Sequence, residues 1–302
     1  MIDAGTPIHD QSQDRTARHV RLIDGRSLGY AEYGDPAGRP LFFFHGWIGS
    51  RLDFRPNDEA ARTLGVRVIA VDRPGCGLSD YQDDRTLLDW PEDVRELADQ
   101  LGIGRFAIVG HSFGGPYVAA CALKLADRVT RVGIVAGIAP LRRRGATRGM
   151  AALVRANLWL AGHVPALARP FVVLMGHVVR RPAWVMKSAL AGLPPSEVEL
   201  LSRPEFAGFA TGYGEMYRTG SRGPYWDALT FARPWSFSLE DVRPHVELWY
   251  GEADANVPIQ MGEYYHAALP HSRLRRYPGE GHLIFYSHAP EILATLVDRE
   301  PT

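Results

Sequence analysis

Three stretches of this 302-residue chain bring together residue types capable of nucleophilic chemistry. Gly110-His111-Ser112-Phe113-Gly114, with Gly115 behind it, sets a serine among small residues, between a short apolar run (105–110) and a helical one (115–126). Strand, G-x-S-x-G, helix is the pattern of a nucleophile elbow, in which close approach of two backbones leaves the serine strained and exposed above a sheet. The same residues also read as a Gly-rich turn with a capping serine. A serine hydroxyl is a poor nucleophile without a base. Of eleven histidines, His282 in GEGHLIF follows the last predicted strand, whereas His266, His271 and His288 lie on or beside helices. The acid that would orient it is Asp254, in YGEADANVP and three residues past Gly251. Asp254 also reads as a turn-forming residue, and Glu252 competes from the same loop. The chain order Ser112, Asp254, His282 is the one this elbow type carries. A tetrahedral oxyanion needs two donors, expected from the backbone N–H groups of Phe113 and of Trp47 in HGWIGS. Gly46, Gly110, His111 and Gly114 are expected to support the elbow and this loop.

Positioning these residues takes a particular set of elements. The sequence predicts two strands around Asp24-Gly25 (19–34), buried strands at 40–46, 66–72, 105–110 and 129–137, and further strands at 242–251 and 273–279. Helices are predicted near 57–64, over 90–102 with Pro91 in the first turn and Gly102 as a stop, after Ser112, near 258–268 and over 289–298. Strand–helix alternation predicts an α/β fold: a mostly parallel, twisted, eight-stranded sheet with helices on both faces. The rhythm stops after Ala139. From 140 to 232 the chain is helical, apolar and broken by Pro and Gly, which predicts an inserted helical cap of about ninety residues. The expected organisation is a flexible tail at 1–18, a core of 19–139 and 233–302, and a cap or lid at 140–232.

Composition narrows the class. Apolar residues make up 46% and charged residues 23%, with 34 basic and 34 acidic side chains and a formal net charge of zero. No global basic field points to nucleic acid and no acidic excess to disorder. Arg142-Arg143-Arg144 reads as a solvated loop edge. Cys76 and Cys121 are too few for a disulfide framework and are expected to be free thiols in a reducing compartment. Residues 1–20 lack an apolar h-region, so no signal peptide is expected and the chain is placed in the cytoplasm. The most membrane-like stretch, 156–179, is broken by Pro165, Arg169 and Pro170, so no span is expected. Two lysines, Lys124 and Lys187, beside many arginines point to a GC-rich bacterial genome. Clusters such as HExxH or CxxC are absent from the sequence, and neither metal nor organic cofactor is expected.

With HGWIGS, DRPGCGLSD (72–80), GHSFGG, GEADANVP and GEGH in this order, the chain resembles an α/β-hydrolase-fold protein with a cap from about residue 19 onward. The branch it resembles is that of capped serine hydrolases: esterases, peptidases and C–C hydrolases. The resemblance implies that the DRPGCGLSD loop shapes one wall of the site, so Asp72 and Arg73 are given a structural role. Haloalkane dehalogenases and soluble epoxide hydrolases attack through an elbow carboxylate, which Ser112 is not. HGWIGS departs from the HGGPG of proline iminopeptidases and from the HGGG of one lipase and esterase branch. The expected function is hydrolysis of a small to medium, partly hydrophobic ester through an acyl-enzyme on Ser112. C–C bond hydrolysis, aminopeptidase activity using Glu205 or Glu215, and ligand binding without hydrolysis are the alternatives. The expected partner is a small-molecule substrate. Trp159, Phe171, Met175, Trp184, Met186, Phe206, Phe209, Tyr213 and Tyr217 suit an apolar pocket or the packing of the cap on itself. Arg218 and Arg222 read as solvated arginines or as carboxylate-binding groups.

Overall fold

The computed structural model describes residues 14–141, 145–181, 193–206 and 209–297. The first part of the chain runs β1 (Arg18–Arg21), β2 (Ser27–Gly34), β3 (Arg39–Phe44), α1 (Asp58–Thr63), β4 (Val66–Val71), α2 (Trp90–Gln100), β5 (Phe106–His111), α3 (Gly115–Lys124) and β6 (Val129–Val135). The described residues that follow are helical: α4 (Ala152–His163), α5 (Pro165–Val178), α6 (Pro195–Leu201), α7 (Phe209–Met216) and α8 (Arg222–Ala232). The chain ends with β7 (Val246–Gly251), α9 (Ile259–Ala268), β8 (Ser272–Tyr277), α10 (Ile284–Ser287) and α11 (Ala289–Val297).

The eight strands form one sheet in the order β1-β2-β4-β3-β5-β6-β7-β8. β1–β2 and β2–β4 are antiparallel, and every later pair is parallel. Alternation within each strand sorts the core onto the two faces. Phe42, Phe44, Ile69, Val71 and Ile108 pack under α2, α3 and α9, while Leu41, Phe43, Val68, Ala70 and Val109 pack under α1 and α11. After β3 the chain crosses to β4 on one side, and after β5 it crosses to β6 on the other. The carboxyl ends of β3 and β5 therefore flank a topological switch point, the crevice where open α/β sheets bind ligands.

Three local differences from the sequence reading have physical causes. β7 starts at Val246 rather than 242, because Pro244 cannot donate to a ladder; residues Leu239–Asp241 form a 3-10 turn instead, capped by Ser238. Residues Arg51–Asn57 form an unanticipated 3-10 turn built on a capping box between Ser50 and Asp53. Of the expected tail, residues 1–13 lie outside the described residues, but the next ones are tied to the sheet. Arg15 O accepts from Glu32 N at 2.8 Å and Thr16 O accepts from Arg51 Nε at 2.6 Å. Arg142-Arg143-Arg144, Trp184, Met186 and Lys187 lie outside the described residues. Cys76 and Cys121 are buried free thiols.

Candidate active site

The turn after β5 is as tight as its glycines demand. A Cβ on Gly114 would sit 2.1 Å from Phe44 O, and one on Gly110 would sit 2.5 Å from Gly114 O. The β5–α3 joint thus presses against the end of β3 with no room for side chains. Ser112 takes φ +57°, a left-handed conformation that non-glycine residues rarely adopt. Such a residue costs about 1–3 kcal/mol and persists only where its surroundings over-determine it. Here Ser112 O also accepts from Ile138 N at 3.1 Å. Gly46 differs from the elbow glycines: a Cβ there would meet Ser112 Cβ at an ordinary 3.4 Å.

Two further loops converge on Ser112. The loop after β7 carries Asp254, whose Oδ1 accepts from Asn256 N (2.7 Å) and Val257 N (2.9 Å). The loop after β8 carries His282. The two loops touch because Gly251 has no side chain: a Cβ there would lie 2.3 Å from Glu280 O. His282 Nδ1 lies 2.8 Å from Asp254 Oδ2, and Nε2 lies 2.9 Å from Ser112 Oγ. A carboxylate can only accept, so Nδ1 carries the proton, and Nε2 is left to accept from the serine hydroxyl. Burial works against a charged His282, but the facing Asp254 and, after it, Glu197 outweigh burial and lift its pKa above the ordinary histidine value. Glu252 is absent from this contact and pairs instead with Arg276 at the surface (3.0 Å). His266 bonds Ser272 and His288 faces Glu280, both away from the elbow.

His111 does more than fill the elbow. Burial, with His282 adding, pushes its pKa down to about 3, so the ring is neutral. Its Nε2–H donates to the His282 carbonyl at 2.9 Å, and its ring lies 4.9 Å from that of His282.

Beneath the loop after β3 sits a second buried cluster. Arg73 donates to His45 O and Gly46 O, and through Nε to Asp227 Oδ2 at 2.8 Å. Arg85 pairs with the other oxygen of Asp227 and donates to Tyr117 Oη at 2.7 Å. His45 Nδ1–H also donates to Gly46 O (2.8 Å), and burial, followed by the Arg73 charge, holds this imidazole neutral. Burial opposes ionisation of Asp227, yet the two guanidiniums overcome it and lower its pKa. A peptide unit is planar and here trans. Pinning Gly46 C=O on Arg73 therefore turns the Trp47 N–H the other way, where it meets no backbone acceptor among the described residues. Asp72 is also structural in its contacts, accepting from Arg51 N (2.7 Å), Arg51 Nη1 (2.8 Å) and Leu78 N (2.9 Å).

Ser112, His282, Trp47 and Phe113 line one cavity of about 320 Å³. Ile48, Val154, Met175, Val178 and Val179 give it apolar walls, while Asp53, Tyr213 and Tyr286 make one region polar. Asp53 is 4% exposed; its Oδ1 accepts from Ser50 N at 3.1 Å, and no cation forms an ion pair with it among the described residues. Burial, only partly offset by that hydrogen bond, pushes its pKa up to about 8. Of the aromatic and apolar insertion residues singled out from sequence, Met175, Phe209 and Tyr213 reach the cavity. Phe206 and Tyr217 are buried in packing and Trp159 is exposed. Glu205, Glu215, Arg218 and Arg222 do not line it: Glu215 pairs with Arg51 and Arg218, and Arg222 with Asp83.

Sequence reasoning missed Glu197 on α6. It is 2% exposed, and its Oε1 accepts from Leu283 N, next to His282, at 2.7 Å. A Cβ on Gly281 would come within 2.3 Å of that oxygen. The available signal was weak: Glu197 is the first acidic residue after Asp127. Asp53 and Asp227 were also missed, and nothing in their local sequence marks them as buried.

The sequence model of the Alpha/beta hydrolase family matches residues 41–296. An sn-1-specific diacylglycerol lipase of Xenopus laevis is 32% identical over 130 residues, 41% of this chain and 41% of the lipase. An uncharacterized hydrolase of Bacillus subtilis is 25% identical over 283 residues, covering 90% of this chain and 93% of that one. Among solved structures, the enol-lactonase from Burkholderia xenovorans superposes with a TM-score of 0.67 at 18% identity, covering 93% of this chain and 98% of the lactonase.

Proposed function

Because the chain belongs to the alpha/beta hydrolase family, we propose that it is a serine hydrolase that cleaves a small to medium, partly hydrophobic ester through an acyl-enzyme on Ser112. The observation that carries this is the 2.9 Å contact between Ser112 Oγ and His282 Nε2, with Asp254 on the opposite ring nitrogen. His282 takes the hydroxyl proton as Ser112 attacks the carbonyl carbon. It returns that proton to the leaving alkoxide, then activates a water that releases the acid. Asp254 stays ionised, fixes the tautomer and stabilises the imidazolium. The N–H groups of Trp47 and Phe113 hold the oxyanion. The anchoring of Gly46 C=O by Arg73 supports this role for Trp47, and each such donor contributes about 3 kcal/mol to the transition state.

The apolar walls fit the hydrophobic part of the ester, and the Asp53 region fits a polar substituent. A lipase among the relatives is in keeping with an ester substrate. The division into a core (19–139 and 233–302) and a cap (140–232) belongs to the same proposal, with α5 and α7 roofing the cavity. An aminopeptidase reading loses its support, since neither Glu205 nor Glu215 lines the cavity.

Rapid mixing with p-nitrophenyl acetate and butyrate tests the reading. A burst of one nitrophenolate per chain, with the acyl group recovered on the peptide containing Ser112, is expected. Turnover without a burst, or an acyl group on another residue, overturns it.

A further inference from the structure

The outer side of the α4–α5 hairpin is unlike the rest of the surface. Seven large hydrophobic side chains are exposed among the described residues, and five of them (Trp159, Val164, Leu167, Val173 and Leu174) lie on this hairpin. Scattered single apolar residues need no explanation, but a contiguous group does. The spacing aligns them in an exposed stripe on each helix. Arg155, Trp159 and His163 recur every four residues along the exposed side of α4, and the Trp159 ring stacks on His163 at 4.8 Å. On α5, Leu167, Pro170, Val173, Leu174 and His177 share the exposed side, while Ala168, Val172 and Gly176 face inward. The inward sides are fixed: Gly176 rests on Tyr217, and Tyr225 Oη donates to Pro165 O at 3.0 Å. Val154 of α4 and Met175 and Val178 of α5 belong to the cavity that holds Ser112.

Charge is equally lopsided here. Between Asp127 and Glu197 the sequence has no acidic residue, where the chain's overall composition would put about eight. The same stretch carries ten arginines and Lys187, in a chain whose formal net charge is zero. Arg148, Arg155, Arg169 and Arg181 are exposed, and no carboxylate pairs with them among the described residues.

We infer that this hairpin docks on an anionic lipid surface, with Trp159, Leu167 and Leu174 entering the headgroup–acyl boundary and the arginines facing lipid phosphates. Exposed Trp and Leu beside arginine, on a stretch of sequence with no acid of its own, is the chemistry of helices lying in a membrane interface. Spanning is excluded by length: α4 has 12 residues and α5 has 14, against about 20 for a span. A second copy of this chain is disfavoured as occupant, because a two-fold contact would press two arginine-bearing hairpins, neither with an acid of its own, against each other. Docking there would bring the cavity wall beside the lipid. The inference goes beyond the ester-hydrolase reading and does not depend on it, since docking is measured without turnover.

Co-sedimentation of the full chain with vesicles decides it. Vesicles of phosphatidylcholine with about 30 mol % phosphatidylglycerol are expected to bind at least about tenfold more protein than phosphatidylcholine alone, and rising salt should erode the difference. Leu167→Ser with Leu174→Ser, and separately Arg155→Glu with Arg169→Glu, should each weaken binding about tenfold. Neither pair lines the cavity, so hydrolysis of a short soluble ester should stay within about twofold. Equal binding to neutral and anionic vesicles overturns the inference, as does a double variant that binds like the parent chain. So does a dimer, seen by sedimentation velocity, that the Leu167→Ser, Leu174→Ser change dissolves.

Discussion

Asp254 and Asp227 are both fully buried carboxylates, each bonded to a basic side chain beside a loop at the carboxyl edge of the sheet. Their partners make them different. Asp227 faces two guanidiniums, which keep their protons at any pH a protein survives. None of Arg73, Arg85, Tyr117 and Asp227 lines the cavity. Asp254 faces an imidazole whose second nitrogen reaches a hydroxyl on the cavity wall. Burial and ion pairing alone make an anchor; a partner that can exchange a proton, with access to a ligand, makes a candidate for chemistry. The anchor has its own task, since it joins α8 to the loop bearing Trp47.

The widest separation between the two clusters should come from activity. Ser112→Ala and His282→Ala are each expected to lower kcat/KM for p-nitrophenyl esters by about 10³–10⁶, since such groups act as a unit. Asp254→Asn should cost somewhat less, about 10³–10⁴. Near-normal turnover in the Asn variant would break the contrast by showing that another group orients His282. Asp227→Asn reverses the pattern. It leaves two buried guanidiniums without a counter-charge and should remove about 3–5 kcal/mol of stability in denaturant unfolding, with kcat/KM of the folded protein falling about tenfold or less. An unfolding midpoint equal to that of the parent chain would deny the anchor.

Asp53 is a third case, a buried carboxyl with no ion-pair partner among the described residues. With its pKa pushed up to about 8 by burial, its neutral form is the one the fold favours. The stability that goes with this neutral form is full below the unfolded value of 3.8 and drains away as pH rises toward 8. Asp53→Asn, which keeps an acceptor for Ser50 N, should therefore stabilise the protein by about 1–3 kcal/mol at pH 7, and by almost nothing near pH 4. Thermal unfolding across that range checks the sign; a variant less stable at pH 7 would mean that the ionised carboxylate is the native form. The smallest effect sharpens the Asp254 cluster itself. The acid limb of kcat/KM should have a midpoint above the ordinary histidine value of 6.5, because His282 is lifted by Asp254 and Glu197. Glu197→Gln keeps an acceptor for Leu283 N but removes a charge that favours the imidazolium, so the midpoint should fall. A profile superimposable on that of the parent chain would leave Glu197 with packing alone.

Ser112, Asp254 and His282 were legible because each belongs to a local pattern: a glycine-bracketed turn, an acid just past a strand, a histidine just past the last strand. Strand alternation and the turn glycines carry the sheet and its crossovers in the same way, through period and local backbone geometry. Glu197, Asp53, Asp227 and the grip of Arg73 on Gly46 were not legible. A carboxyl group's state depends on which cations, N–H groups and apolar walls surround it, and for Asp227 those partners lie 110 to 154 residues away. Residue type and short-range spacing determined what could react. Only the packing of α6, α7 and α8 against the strand-edge loops decided which buried acids hold charge, which stay neutral and which steady the histidine, because water exclusion and long-range contact exist only in the folded chain.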